Sequence, residues 1–154
     1  MPNSSSDPMQ QFQAVEDLLT RWLKERRDLL GRYTEIVVTL DGEAGPGATE
    51  QRQKALCELL VDYISAGHFE VYHELFNEAE TFADGSSAMA EKLMPAIGDT
   101  TEVILAYEEK YGDGDNHPGT LKRDLSALGE VLESRFALED QLIAGLHNSH
   151  RRLV

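Results

Sequence analysis

The chain has 154 residues, 41% of them hydrophobic and 27% charged, which fits one soluble globular domain with a real core. No apolar run approaches bilayer length, and a net charge of −14 excludes binding nucleic acid directly through a basic surface. A lone Cys57 excludes disulfide scaffolds and cysteine zinc sites, and MPNSSSDPMQ lacks a basic start or apolar h-region, so the expected location is the cytoplasm.

The charge is unevenly spread. Residues 1–32 carry five acids and five bases, whereas residues 58–109 carry twelve acids and only Lys92. Such a surface repels nucleic acid and steers basic protein surfaces toward it.

In chain order, residues 1–9 read as a flexible N-terminal tail and 10–150 as a single helical-bundle domain. From about Gln10, Phe12, Val15, Leu19, Trp22, Leu29, Tyr33, Ile36 and Leu40 recur at steps of three and four. That spacing predicts a helix of about 45 Å at 1.5 Å per residue. Arg26 stands where an apolar residue is due. EIVVTL is β-branched but follows the helical register. DGEAGPG (Asp41–Gly47) stops the helix with three glycines and a proline.

A second helix, with Thr49 as its N-cap, is predicted to run to about Phe82. Within it Leu60, Ile64, Gly67, Val71 and Leu75 form one stripe, and Asp62, Ser65, Phe69, His73 and Phe76 form another, nearly opposite. One apolar stripe is usual for a surface helix. Two mean either a central helix walled on both sides or a second face open to a partner. A third helix, about Ser87–Tyr111, carries Met89, Leu93, Ile97, Ile104, Leu105 and Tyr107, with Pro95 and Gly98 set to kink or divide it. The fourth starts near Thr120 and repeats Leu121, Leu125, Leu128, Leu132, Leu142 and Leu146, interrupted by Arg135 and Glu139. The expected fold is all-α: an antiparallel four-helix bundle of long helices with the third kinked.

Arg135 and Glu139, four residues apart, can pair on one helix. Arg26 reaches Glu139 only if the first and fourth helices are neighbours. In that arrangement, replacing Arg26 and Glu139 together by apolar residues should cost less than neutralising Glu139 alone.

Motifs for chemistry are incomplete. Glu70-x-x-His73 is half of a di-iron carboxylate pattern, without a second copy. His68 is followed by acids that oppose a phosphate. Asp113-Gly-Asp115 opens like a calcium loop but lacks the third acid and the glycine. His117 falls in that loop, and His147 and His150 at the C-terminus. No cofactor, metal or enzymatic activity is expected. A hemerythrin-like bundle with His68, Glu70, His73 and Glu139 as ligands is the competing reading.

RWLKER (Arg21–Arg26), LVDYISAGHFEVY (Leu60–Tyr72) and ESRFALEDQLI (Glu133–Ile143) together resemble the regulator of sigma D family, which includes alginate-regulatory relatives in pseudomonads. Order, spacing and total length agree from about residue 12 to 148. The resemblance implies a non-enzymatic anti-sigma factor. It holds the −35-reading helix-turn-helix domain of the primary sigma factor of RNA polymerase, favouring alternative sigma factors in stationary phase. It also implies a link to the phosphocarrier protein of the sugar phosphotransferase system, which leaves an adaptor role as a further alternative. Onto matching positions it carries Asp62, Ser65, Phe69 and Tyr72 from the second helix and Arg26, Arg135, Glu139 and Asp140 around the seam. The second stripe adds Phe76.

Overall fold

Four long helical stretches make up the computed structural model, which describes residues 7–40, 46–113 and 117–153. α1 spans Pro8–Leu40, 33 residues with Phe12, Val15, Leu19, Trp22, Leu29 and Ile36 buried at the expected spacing. α2 (Pro46–Ala66) passes into a five-residue π turn, Gly67–Val71, and continues as α3 (Tyr72–Phe82). A short α4 (Ser86–Glu91), α5 (Met94–Tyr111) and α6 (Leu121–Leu146) follow, and the chain closes with a 3-10 segment, Asn148–Leu153. The expected tail and the two expected loops include residues 1–6, 41–45 and 114–116, which lie outside the described residues; Pro8 and Met9 already belong to α1. Among the described residues there is no strand, and no helix is long and apolar enough to cross a membrane.

Cross-links show the directions of the helices. Trp22 meets Tyr63 and Arg52 meets Thr39, so α1 and α2 are antiparallel. Lys110 meets Asp124 and Thr100 meets Arg135, so α5 and α6 are as well. Tyr33 reaches Leu125 and Arg26 reaches Asp140, which sets α6 antiparallel to α1. α2 packs on α5, and both α3 and α4 pack on α6.

Three local expectations change. The second helix begins at Pro46, whose missing N–H is harmless in a first turn, so Thr49 lies inside the helix and is not its N-cap. The third stretch does divide, but at Lys92–Leu93, which puts Pro95 in the first turn of α5; Gly98 continues that helix without a break. Its buried face is Ile97, Thr100, Ile104, Tyr107 and Tyr111, whereas Met89 and Leu105 are exposed. Buried Ala90 continues the row of Ile97, Ile104 and Tyr111 at steps of seven, and Met89 and Leu105 each sit one residue, about 100°, off it.

Cys57 is buried in α2, and burial, with Glu108 and Asp113 nearby, pushes its thiol up to about 12. It behaves as a small core hydrophobe. At the far end of α5 the Asp124 carboxylate accepts from Lys110 Nζ and the Tyr111 hydroxyl, each at 2.7 Å, which holds it down to about 2.

The glycines separate by what a methyl group would meet. At Gly67 a Cβ would stand 3.0 Å from the Trp22 ring, itself stacked on Tyr63 and unable to retreat. At Gly31 and Gly98 it would meet nothing within 4 Å. Gly31→Ala and Gly98→Ala should each stabilise by about 0.5–1 kcal/mol through helix propensity. Gly67→Ala should instead destabilise by about 1–2 kcal/mol, overpacking outweighing that gain. Thermal or urea denaturation of the three variants checks the opposite signs.

Candidate partner-binding site

α2, the π turn and α3 present the two stripes differently. Leu60, Ile64, Gly67, Val71 and Leu75 are buried in the core. Asp62 and His73 are exposed, Ser65 and Phe76 half-buried, and Phe69 is 76% exposed. Phe76 packs in part against the core, whereas Phe69 stands clear of it. An exposed phenylalanine ring carries a hydration cost that a partner can relieve.

Beneath that face lies a network centred on Glu139, which is fully buried. Its Oε1 accepts from the Tyr63 hydroxyl at 2.6 Å and from Arg26 Nη2 at 3.4 Å. Its Oε2 accepts from the Tyr72 hydroxyl and, at 3.2 Å, from Arg135 Nε. Arg135 is equally buried, and its remaining donors reach Tyr72 Oη, Thr100 Oγ1, Thr101 Oγ1 and the Ile97 carbonyl. Arg26 also donates to Tyr63 Oη at 3.1 Å and to exposed Asp140 at 2.7 Å, and lies 4.7 Å over the Phe136 ring. Two guanidiniums thus face two carboxylates, and each buried polar atom of Glu139 and Arg135 has a partner. Burial outweighs Arg135 and the other donors and leaves the Glu139 carboxyl above its ordinary value. Burial and the Glu139 charge together push both tyrosines far up, so they remain donors at any physiological pH.

The nine residues expected to meet the partner therefore occupy two layers. Asp62, Ser65, Phe69, Phe76 and Asp140 reach the surface; Tyr72, Arg135 and Glu139 are buried below it, and half-buried Arg26 joins the layers. Tyr63 was absent from the expected set although it holds half of Glu139. Nine residues at about 100° each are two and a half turns, so an unbroken α-helix puts Tyr63 and Tyr72 on opposite sides. The π turn takes in one extra residue and rotates Tyr72 back toward Tyr63, so that both hydroxyls grip one carboxylate. Gly67, packed against Trp22 within the stretch, was the available signal.

The competing metal ligands do not converge. His68, Glu70 and His73 are exposed, while both oxygens of Glu139 are occupied inside the bundle. Among the described residues no group of three or more His, Cys, Asp or Glu side chains could hold a metal.

Fold and site define a class: a four-helix bundle whose open aromatic face is braced from within by a buried ion network. The family model "Regulator of RNA polymerase sigma(70) subunit, Rsd/AlgQ" matches residues 1–147, and the chain belongs to that family. A protein named "Regulator of sigma D" from Yersinia enterocolitica is 33% identical over 149 residues, covering 93% of this chain and 88% of its own length. One of the same name from Salmonella typhi is 34% identical over 147 residues, with 93% and 90% covered. No solved structure matches.

Because Arg135 keeps its charge when Arg26 and Glu139 are both removed, the paired replacement expected from the sequence should not restore stability. Glu139→Gln should cost about 3–5 kcal/mol, and Arg26→Met with Glu139→Leu should remain strongly destabilised. Adding Arg135→Met should recover much of the loss. Urea denaturation of the single, double and triple variants checks this ordering, with a larger coupling for Arg135/Glu139 than for Arg26/Glu139.

Proposed function

We propose that this protein is an anti-sigma factor that takes up the −35-reading domain of the primary sigma factor on the face of Asp62, Ser65, Phe69 and Phe76. It acts by occupancy, without catalysis: the bound sigma domain is withheld from RNA polymerase, and alternative sigma factors gain access in stationary phase. Family membership supports a sigma partner. The observation that carries the choice of face is Phe69, 76% exposed on the turn whose Glu70 lies among the carboxylates of Glu25, Asp62 and Asp28.

Those carboxylates are crowded. Partial burial, then the charges of Asp62, Glu70 and Asp28, push the Glu25 carboxyl above its ordinary value. Like charges held together on α1, α2 and the π turn repel one another, Arg21 offsets only part of that repulsion, and a further cation from a partner relieves it. A helix-turn-helix domain that reads promoter DNA is basic where it meets phosphates, so it supplies that cation and competes with DNA for the same surface. The acids set encounter rate and register; the ring supplies contact area. In this reading Tyr72, Arg135 and Glu139 hold the face in place from below, and Arg26 with Asp140 forms its edge.

Phe69→Ala should weaken binding to the isolated −35-reading domain by about 2 kcal/mol or more while leaving the melting temperature nearly unchanged. The on-rate should fall as salt rises from about 50 to 300 mM, and Asp62→Asn with Glu70→Gln should flatten that dependence. Calorimetry and stopped-flow association measure both. Unfolding of the Phe69 variant, or salt-independent association, would put the docking surface elsewhere.

A further inference from the structure

His147 and His150 follow the last leucine of the α6 seam, and both are buried. Their four ring nitrogens all face carboxylate oxygens. His147 Nδ1 lies 2.6 Å from Glu78 Oε1, and its Nε2 lies 2.7 Å from Glu16 Oε1. His150 Nδ1 lies 2.7 Å from the other oxygen of Glu78, and its Nε2 lies 2.8 Å from Asp84 Oδ2. Fully buried Glu78 on α3 is therefore the middle of an unbroken row running Glu16, His147, Glu78, His150, Asp84. Each imidazole is also stacked on a phenylalanine: His147 on Phe12 at 4.0 Å and His150 on Phe82 at 4.2 Å. Arg151 grips both oxygens of Glu16 at 3.1 and 3.2 Å and lies over the Phe12 ring, 5.2 Å from its centre.

Two neutral imidazoles supply two N–H donors for these four contacts, and the remaining ring lone pairs would then press against carboxylate oxygens. Four donors require protonated rings. With both rings charged, three carboxylates are balanced by two imidazoliums and Arg151, which suits a buried row. No metal replaces the protons, since each nitrogen meets a different carboxylate oxygen and no three ligands share a point among the described residues.

We infer that this row is a proton-held latch that clamps the C-terminal segment, Asn148–Leu153, across the ends of α1 and α3 and releases it as pH rises. The groups facing the rings are Glu16 from α1, Glu78 from α3, Asp84 from the α3–α4 turn and Arg151 from the segment itself. The Ser86 amide, donating to Asp84 Oδ1 at 3.0 Å, and His150 hold Asp84 down to about 2, and Arg151 with His147 lowers Glu16, so both stay ionised through the neutral range. Against the cost of burial, Glu78 and Glu16 raise His147 above its ordinary 6.5. A raised folded value makes the latch's contribution complete below about pH 6.5 and lost as pH climbs through that higher value. As the extra proton leaves His147, closure weakens by up to about tenfold per pH unit. Opening bares Phe12, Phe82 and the Glu78 carboxylate at one end of the bundle.

The test is performed on the full chain with ¹⁵N-labelled histidine between pH 6 and 9, alongside hydrogen exchange of residues 147–153. Both His147 nitrogens should show imidazolium shifts at pH 7. Protection of the terminal segment should fall steeply above the His147 transition, while core amides such as Ile104 and Leu128 keep theirs. Glu78→Gln should open the latch at lower pH. Because that buried change also threatens folding, Glu16→Gln, at a half-exposed position, serves as the second variant and should move opening down by a measurable fraction of a pH unit. A neutral His147 tautomer at pH 7 with the segment still protected would overturn the proposal. So would pH-independent protection, loss of core and segment protection together, or an unshifted Glu16→Gln transition.

Discussion

Burying one carboxylate constrains most of this bundle. Glu139 has no access to water, so the surrounding helices must deliver enough donors to replace its hydration. α1 delivers Arg26, α2 Tyr63, α3 Tyr72 and α6 Arg135, so four elements are fixed relative to one pair of oxygens. α5 is drawn in at second hand, because Arg135 spends its other donors on Thr100, Thr101 and the Ile97 carbonyl. A hydrophobic core accepts many nearly equivalent packings; a network with directional bonds accepts few. An apolar replacement of similar volume is often as stable as a buried ion network; what the geometry here sets is which face of α2 and the π turn is left outside.

That exclusion connects core to surface. Tyr63 and Tyr72 point inward to Glu139, and the wide turn between them carries Phe69 outward. A ring held on a rigid backbone loses little conformational freedom when a partner covers it, which favours tight contact per unit area. In the proposed docking, the acidic surroundings act at longer range, before contact is made.

The fold was legible because two of the helices state their buried faces plainly. Phe12 to Ile36 in α1 and Leu121 to Leu146 in α6 keep one register throughout, and a β-branched run at the end of α1 does not disturb it. The third stretch differs at Met89 and Leu105 because the buried row is Ala90, Ile97, Ile104 and Tyr111, seven apart, and each of the two lies one residue, about 100°, away from it. In the site, the charged seam positions point to the Arg135–Glu139 pair, whereas the approach of Arg26 to Glu139 depends on α1 lying beside α6, which spacing alone does not state. Tyr63 escaped because the π turn changes the count between it and Tyr72. The carboxylate–histidine row escaped for a different reason. Glu16, Glu78, Asp84, His147 and His150 come from distant parts of the chain, and ordinary spacing rules see only neighbours along one helix.

The wide turn at Gly67–Val71 also fixes what kind of change this segment can absorb. Between the two tyrosines the chain is measured in residues and not in turns. Side chains at exposed positions such as His68 and Glu70 can vary without touching Glu139. Loss of any single residue there would convert the π turn to an ordinary one and shorten α3's lead by one step. Gain of a residue would overshoot. Either way every side chain from Tyr72 to Phe82 would be turned by about 100° relative to α2, carrying Leu75 and Ala79 off the core and Glu78 away from the end of the bundle. The segment is thus tolerant in its spelling and intolerant in its length, the reverse of what holds for a surface loop.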